Sequence, residues 1–201
     1  MTTSLEKFSE LAKKDTVIPV WQELVADYIT PVAAFARVVG NGSGFLLESV
    51  EHGERWSRWS FIGRNPLLTI TKENGEISVI GDSPIPIPED GQLLGFIENL
   101  QSQLTAPRLD ELPPMHSGIM GYIGYDVVRE IEDLPNTPED DLSIPDSILS
   151  VIGELAVFDH WKQRVILIAN AIVPLGGTSI EIESAYADAL NRLELLAADG
   201  A

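Results

Sequence analysis

The sequence contains no cysteine, few basic residues and no long apolar run. Without cysteine the chain cannot form disulfides, thiolate zinc sites or a cysteine nucleophile. No apolar stretch approaches the roughly 20 residues that a membrane-spanning helix needs. The N-terminus, with Glu6 and Lys7, lacks the apolar region of a signal peptide. We therefore expect a cytoplasmic protein that is not attached to a membrane.

Basic residues are scarce relative to acidic ones. Lysine and arginine number 13 against 31 aspartates and glutamates, which gives a net charge of −18. A surface of that sign repels the phosphates of nucleic acids and the headgroups of anionic membranes. We expect neither as a partner. If the protein serves a dianionic substrate, the positive groups or the metal that such a substrate needs should lie outside this chain.

The three histidines, His52, His116 and His160, lie far apart in the sequence. None has a nearby serine–aspartate set or the spacing of zinc ligands. The sequence therefore predicts no catalytic triad and no metal site, and we assign no catalytic residue.

Turn signals and apolar periodicity predict an α+β fold. Asn-Gly pairs between apolar segments are typical of β-hairpins rather than of βαβ units, and we predict hairpins at Asn41-Gly42 and Asn74-Gly75. Several segments show the periodicity of amphipathic helices. Helices are predicted at Ser4–Lys14, Trp21–Tyr28, Gln92–Leu104, Asp126–Glu132 and Ser179–Ala198. Strands are predicted at Ala34–Val39, Gly44–Ser49, Ser60–Ile62, Leu67–Thr71, Ile77–Ile80, Gly118–Gly124, Ile148–Phe158 and Arg164–Val173. We expect a large, mainly antiparallel sheet with flanking helices.

The domain organisation is simple. A chain of 201 residues suffices for one domain, or for a large piece of a longer protein. We find no internal repeat and no linker. Residues 1–201 are predicted to form a single domain with a core at 17–173 and a C-terminal helix at 179–198.

The stretch from Ser43 to Pro66 has the features of a small-molecule site. An apolar strand, Phe45 to Leu47, ends in Glu48 and Ser49, and two tryptophans alternate with arginines shortly afterwards. A carboxylate, a hydroxyl and aromatic faces at strand ends can hold a small amphipathic molecule. From the residues alone, the favoured interpretation is that Glu48 and Ser49 are ordinary polar residues at the end of a strand.

Two further motifs have structural interpretations. Trp56 and Trp59 are predicted to be core aromatics, or to stack on the neighbouring arginines. The glycines Gly118, Gly121 and Gly124 form G-x-x-G-x-x-G, which is not the spacing of the dinucleotide-binding fingerprint. Glycine inside a strand usually marks close backbone approach, and we predict that role here.

Three segments together resemble a known family. They are Leu46–Ser49, Arg58–Gly63 and Gly118–Asp126 with the residues that follow it to Pro135. They are similar to the N-terminal domain of anthranilate synthase component I, over roughly Val17 to Val173. The resemblance is specific to the chorismate-using synthases. Two alternatives remain: aminodeoxychorismate synthase component I, and a free-standing amino-acid-binding module.

The resemblance implies a feedback site for tryptophan. In that family the Glu48 carboxylate would bind the ammonium of the inhibitor, and the Ser49 hydroxyl would add a hydrogen bond. Leu47 and Ser60 would line or support the site. Some members carry a lysine near the position of Trp59 that contacts the inhibitor, and Arg58 is the candidate substitute in this chain.

The resemblance also implies that the chemistry lies outside the chain. The family's chorismate- and magnesium-binding residues belong to a C-terminal domain, whose glutamate-rich metal motifs do not occur here. The complete protein would convert chorismate to anthranilate. It would use Mg²⁺ to hold the substrate, and ammonia released from glutamine by a glutamine amidotransferase subunit, component II. This chain alone is expected to be inactive.

Overall fold

The computed structural model describes residues 2–25, 29–48, 58–136, 140 and 143–200. The helices are α1 Leu5–Leu11, α2 Pro31–Val38, α3 Leu93–Gln103 and α4 Ser179–Gly200, with a 3₁₀ helix at Tyr125–Glu130. The strands are β1 Val17–Val25, β2 Gly44–Glu48, β3 Trp59–Arg64, β4 Leu68–Glu73, β5 Glu76–Ile80, β6 Ile119–Ile123, β7 Ser147–Val151, β8 Glu154–Asp159 and β9 Arg164–Ile172.

The strands form two antiparallel sheets. The first has the order β1-β9-β8-β3-β2, the second has the order β5-β4-β7-β6, and every pairing in both is antiparallel. The predicted α+β class, with an antiparallel sheet and flanking helices, is confirmed. The strands are divided between two sheets, however, where the sequence suggested one.

The division arises where a single strand was predicted at Ile148–Phe158. In the structure this segment is β7 in the second sheet and β8 in the first, separated by Ile152 and Gly153. At Gly153 the backbone passes so close to Asn65 that a β-carbon would lie 1.9 Å from the Asn65 carbonyl oxygen. The two strands are mainly apolar, and the polar residues among them, Ser147, Ser150, Glu154 and Asp159, do not mark the change of sheet.

Gly153→Ala is expected to lower the free energy of unfolding by about 1–3 kcal/mol, the usual cost of forcing a carbon into a packed site. Gly95, in the exposed face of α3, is the matched control, because a β-carbon there has no neighbour within 4 Å. Gly95→Ala should leave stability unchanged or raise it, since alanine favours a helix over glycine. Urea unfolding of both variants tests the difference, and equal midpoints would contradict it.

Two predicted elements near the N-terminus are wrong in type. The predicted helix from Trp21 is the second half of β1, which pairs with β9 along nine residues; Tyr28, the predicted end, lies outside the described residues. Strand β1 tolerates Pro19 because it lies at the edge of the sheet. On the open side of an edge strand, a missing N–H does not remove a hydrogen bond to a neighbouring strand. The pairing with β9 makes the segment from Trp21 a strand, although the spacing of its apolar residues predicted a helix.

The predicted strand Ala34–Val39 is helix α2. Its start follows ordinary helix chemistry, because the Thr30 side chain accepts a hydrogen bond from the Ala33 N–H and Pro31 occupies the first turn. Ala34 and Val38, four residues apart, are buried on one face. The Asn41-Gly42 pair therefore joins a helix to β2, and the predicted hairpin at this position is wrong.

Most other elements agree with the prediction to within a few residues. The hairpin at Asn74-Gly75 is confirmed, and both residues have the positive φ that a two-residue hairpin turn needs. Ser4 caps α1 through a bond from the Lys7 N–H. The glycine motif is confirmed as close packing at Gly121, where a β-carbon would lie 2.0 Å from the Ile148 carbonyl oxygen, but Gly118 has open space.

The core lies on both faces of the first sheet. Helices α1, α2 and α4 cover one face, and the buried cluster there includes Phe8, Val38, Ile62, Leu167 and Leu193. The opposite face carries Trp21, Leu155 and Ile166 and meets Met120 of the second sheet. A separate cluster joins the second sheet to α3. The first sheet is therefore held between two apolar layers, and β3 and β2 are its last two strands at one edge.

Candidate functional site

The predicted site residues lie where β2 ends and β3 begins. Glu48 and Ser60 stand directly opposite each other in the antiparallel pair. They share the side of the sheet that faces the helices, because Leu46 and Ile62, two residues away on each strand, pack into the helix-side cluster. Leu47 points to the opposite side. Ser49 lies outside the described residues, so its predicted role stays a prediction.

Glu48 and Ser60 differ sharply in environment. The Glu48 side chain is exposed, whereas Ser60 is buried, with 2% of its surface accessible. Leu47 is 39% exposed on the other side of the strand. Because β2 is an edge strand of the first sheet, a ligand lying along its open side could contact side chains from both faces. The structure thus brings Glu48 and Ser60 together and leaves Leu47 on the far side of the same strand.

His160, for which no role was predicted from the sequence, also lies at this end of the strand pair. The Nε2 atom of His160 lies 2.8 Å from the Ser60 Oγ, within a hydrogen bond, and the His160 ring stacks on Phe158 with centroids 6.3 Å apart. His160 is itself exposed, and its backbone N–H donates to the Arg58 carbonyl. The sequence separation of 100 residues gave no indication that Ser60 and His160 would be hydrogen-bonded. The pair buries the serine and presents the imidazole to solvent.

The neighbouring aspartate does not extend this pair into a catalytic triad. Asp159 is buried and is occupied by Arg58, whose Nε donates to Oδ1 at 2.9 Å and whose Nη2 donates to Oδ2 at 2.6 Å. The same Oδ1 accepts from the backbone N–H groups of Trp161 and Lys162, both at 3.2 Å. These contacts orient the carboxylate toward Arg58 and the following turn, and they leave no Ser–His–Asp relay.

Arg58 is also stacked between two indole rings. Its guanidinium carbon lies 4.3 Å from the centroid of Trp59 and 5.1 Å from that of Trp161. The stacking predicted for Trp59 is confirmed, whereas Trp56 lies outside the described residues. A contact between Arg58 and a ligand, as a substitute for the family's lysine, would compete with this arrangement. We therefore regard Arg58 and Asp159 as the clamp that fixes the ends of β3 and β8.

The clamp shifts the acidity of its carboxyl. Burial by itself would raise the pKa of Asp159, but the charged bond from Arg58 and the two backbone N–H donors outweigh it, so the pKa is lowered. A carboxyl with a lowered folded-state pKa stabilises the protein above its unfolded pKa of about 3.9. That contribution is lost as the pH falls through the unfolded value toward the folded one.

Wild-type protein is accordingly expected to lose unfolding free energy steeply between about pH 5 and pH 3, because the unfolded state binds more protons there. Asp159→Asn should be less stable than wild type at pH 6, and its stability should fall less steeply with acid because the coupled carboxyl is absent. Urea unfolding at pH 6, 5, 4 and 3 gives both curves. Parallel curves would show that Asp159 carries none of the acid sensitivity.

A second buried carboxylate organises the other sheet. Glu130 accepts hydrogen bonds from the backbone N–H groups of Leu93 and Leu94, each at 2.9 Å, and an ion pair from Lys72. Burial opposes ionisation, but these donors outweigh it and lower the pKa of Glu130. The carboxylate caps α3, whose own first residue provides no side-chain cap. Glu130 therefore connects the 3₁₀ helix, α3 and β4.

Two concave surfaces of the described structure lie away from the Glu48–Ser60 pair. A mainly apolar cavity of about 300 Å³ lies between the sheets at the beginning of β2, lined by residues that include Phe45, Met120 and Ile152. A larger, polar cleft of about 800 Å³ lies beside β6.

Over the part of the chain that the structure describes, no group of three or more histidine, aspartate or glutamate side chains is placed to hold a metal ion. No described helix is long and apolar enough to cross a membrane.

No sequence motif singled out Asp159, His160 or Trp161. One local signal was available: these residues directly follow an apolar strand, as Glu48 and Ser49 do. That signal indicates a position near the candidate site only when β3 and β8 are known to pair, because the pairing sets Trp59 opposite Asp159. The geometry adds the ring of His160 to the group predicted from the sequence.

Comparisons with known proteins identify relatives along nearly the whole chain. Anthranilate synthase component 1 of Mycolicibacterium smegmatis is 38% identical over 196 residues, which cover 97% of this chain and 37% of the relative. The protein of the same name from Mycobacterium tuberculosis H37Rv is 40% identical over 201 residues, 98% of this chain and 39% of the relative. That of Acetivibrio thermocellus is 34% identical over 193 residues, 96% of this chain and 38% of the relative.

The chain spans less than two fifths of the length of these relatives. No family model matches it. Among solved structures, anthranilate synthase component I from Streptococcus pneumoniae TIGR4 superposes with a TM-score of 0.51 at 24% identity, over 86% of this chain and 36% of that one. That likeness bears on the fold alone. It agrees with the α+β architecture of two antiparallel sheets described above.

Proposed function

We propose, from the homology of this chain to anthranilate synthase component 1 over 97% of its length, that it is the N-terminal scaffold and tryptophan-sensing part of such an enzyme. The complete enzyme would convert chorismate to anthranilate in tryptophan biosynthesis. The observation that carries the proposal is 34–40% identity to several proteins of that name. The relatives' names favour anthranilate synthase over aminodeoxychorismate synthase and over a free-standing amino-acid-binding module.

The charges of the chain support a division of labour. Chorismate is a dianion, and its binding needs positive groups that are free to meet it. Eight of the 13 basic residues are engaged in ion pairs with carboxylates of the same chain. The acidic side chains of the described residues do not form a set that fits Mg²⁺. We therefore place chorismate, Mg²⁺ and the reaction in the part of the enzyme outside this chain, with ammonia supplied by a component II amidotransferase.

Tryptophan sensing is assigned to the end of β2. The Glu48 carboxylate is exposed and can pair with the ammonium of the inhibitor, and Ser49 would add a hydroxyl. Ser60 would support the site from beneath the protein surface, because its hydroxyl is already hydrogen-bonded to His160. Leu47 would contact the ligand across the open edge of the strand. Because Leu47, Glu48 and Ser60 stand on paired strands of the first sheet, binding at these three residues would require little ordering of the protein.

Catalytic assays test the proposal directly. The purified 201-residue chain, given chorismate, ammonia and Mg²⁺, is expected to form no anthranilate, since eight of its 13 basic residues are engaged in ion pairs and the proposed metal site lies outside the chain. The full-length enzyme should form anthranilate under the same conditions and should be inhibited by tryptophan. Anthranilate formed by the chain alone would overturn the division of labour. Aminodeoxychorismate formed by the full-length enzyme would favour the alternative assignment.

A further inference from the structure

His160 combines an exposed side chain with a fixed position. Its Nε2 atom lies 2.8 Å from the Ser60 Oγ, and its ring stacks on Phe158 with 21° between the ring planes. Its backbone N–H donates to the Arg58 carbonyl at 2.9 Å. The side chain is nevertheless exposed to solvent. A polar group that is both fixed and exposed can bind a ligand without losing much conformational freedom.

The bond with Ser60 also determines which ring nitrogen of His160 carries a proton. The Ser60 hydroxyl is buried, and within the described part of the chain the imidazole is its one hydrogen-bond partner. If Nε2 donated in this bond, the hydroxyl hydrogen would be left without an acceptor, which is costly for a buried group. The Ser60 O–H therefore donates to Nε2, and the neutral ring carries its proton on Nδ1. The Nδ1–H is then the donor that His160 can offer to a ligand.

The imidazole lies on the same side of the first sheet as Glu48. Ser60 stands opposite Glu48 on β2 and opposite Phe158 on β8, so the three side chains form a row across three strands. Phe158 belongs to the helix-side cluster, and the ring of His160 stacks on it at one end of the row. This face of the sheet therefore presents an acceptor, the Glu48 carboxylate, and a donor, the His160 imidazole.

An acceptor and a donor on one face match the two charged groups of a free amino acid. The ammonium and the carboxylate of an α-amino acid are attached to the same carbon, so both must be bound within a short distance. Glu48 is assigned to the ammonium. The carboxylate needs a donor, and the neighbouring cation Arg58 is committed to Asp159 by two hydrogen bonds and to two indole rings. The Nδ1 atom of His160 has no competing partner among the described residues.

We propose that His160 binds, through its Nδ1–H, the α-carboxylate of the amino acid whose ammonium is bound by Glu48. In the proposed function, on which this inference rests, the end of β2 senses tryptophan. His160 would be a specificity-determining residue of that site, about 100 positions away from the sequence motif. Ser60 would act through His160, because its buried hydroxyl fixes the ring and its tautomer and does not touch the ligand.

Calorimetric titration of full-length enzyme variants with tryptophan tests the proposal. His160→Phe keeps a ring that can stack on Phe158 but removes both nitrogens. It should weaken tryptophan binding at least about tenfold, the lower limit for a hydrogen bond to a charged group. His160→Asn keeps an N–H donor near the position of Nδ1 but not the ring, and it should weaken binding less. A purely structural role of the ring would give the opposite order.

Lys162→Gln is the matched control, because it removes an exposed cation from the same turn. It should bind tryptophan as the wild type does, and circular dichroism should show every variant folded. Normal tryptophan binding by His160→Phe, a greater loss for His160→Asn than for His160→Phe, or equal weakening by Lys162→Gln would each overturn the proposal.

Tryptamine, which keeps the ammonium of tryptophan but lacks the carboxylate, provides an independent readout. His160→Phe should leave the affinity for tryptamine unchanged, because the contact that it removes is already missing from the wild-type complex. Glu48→Gln should weaken the binding of both ligands. An equal loss of affinity for both ligands in His160→Phe would contradict the carboxylate contact. If tryptamine binds the wild-type enzyme too weakly to measure, the order of the two His160 variants with tryptophan decides alone.

The same titrations separate this inference from the proposed function. If Glu48→Gln weakens tryptophan binding but His160→Phe binds normally, the sensing site stands and His160 is not part of it. If tryptophan does not bind the full-length enzyme, or if neither variant weakens its binding, the assignment of tryptophan sensing to the end of β2 is wrong, and the role of His160 fails with it.

Discussion

Replacing Glu48 by glutamine in the full-length enzyme is expected to raise the tryptophan concentration for half-maximal inhibition by about 10- to 150-fold. In the proposed tryptophan site, the change would remove one charged hydrogen bond to the ligand ammonium. Such a bond contributes about 1.5–3 kcal/mol, and 1.4 kcal/mol corresponds to a factor of ten. The larger penalty for a buried unpaired charge does not apply, because Glu48 is exposed in this chain. Turnover without tryptophan should change little.

Inhibition curves for three variants provide the measurement. Ser49→Ala should weaken inhibition less than Glu48→Gln, by about 0.5–1.5 kcal/mol for an ordinary hydrogen bond. Glu23→Gln is the control: Glu23 is an exposed carboxylate on β1, at the other edge of the same sheet. It should leave inhibition unchanged. If Glu48→Gln kept wild-type sensitivity, or lost sensitivity and basal turnover together, Glu48 would be an ordinary residue at the end of a strand.

The largest expected loss of stability follows removal of charge from Glu154. This carboxylate is 1% exposed and accepts bonds from the Arg64 Nε at 2.7 Å and from the Asn65 side chain. Glu154→Gln should lower the unfolding free energy by about 3 kcal/mol, because the largely buried guanidinium loses its main counter-charge. The figure lies at the low end of the range for broken buried pairs, since Arg64 retains Asp199 and the Val38 carbonyl.

A surface pair gives the comparison for Glu154. Asp188 and Arg192 form an i,i+4 pair on α4 in which the carboxylate is 66% exposed. Asp188→Asn should change stability by at most about 0.5 kcal/mol. The double variant Arg64→Met, Glu154→Leu should recover part of the loss, because an apolar pair removes both buried charges. Thermal and urea unfolding provide the values. A loss for Glu154→Gln no larger than that for Asp188→Asn would contradict the argument.

The sequence predicted elements well where local chemistry and tertiary contacts agree. The Asn74-Gly75 hairpin and the amphipathic helices α3 and α4 are examples, since the turn residues and the apolar spacing suffice to determine each of them. It failed where one signal was given too much weight. At Thr30-Pro31 a cap and a first-turn proline start α2, but apolar, β-branched residues suggested a strand. At Trp21 helical spacing suggested a helix, but nine residues of pairing with β9 decided the outcome.

At the candidate site, local signals in the sequence likewise did not predict the contacts between residues far apart in the chain. Glu48 and Ser60 could be chosen because they lie near each other in the sequence and match a family motif. The Ser60–His160 bond and the Arg58–Asp159 clamp each join residues about 100 positions apart. Nothing in a single sequence indicates that β3 and β8 are neighbours. The contacts between sequence-distant strands, and hence half of the group around Ser60, could be found only in the folded chain.

The pairing of β1 with β9 has a consequence for how the protein acquires its structure. The two strands are separated by about 150 residues, and β9 is the only described strand that β1 pairs with. At synthesis rates of about 5–20 residues per second, β1 would emerge from the ribosome about 7–30 seconds before its partner. Contacts between such distant segments also form slowly in refolding. We therefore expect the first sheet to close late, with the β4–β5 hairpin forming earlier, an order that pulsed hydrogen exchange during refolding would reveal. Nascent β1 would need chaperone protection over that interval.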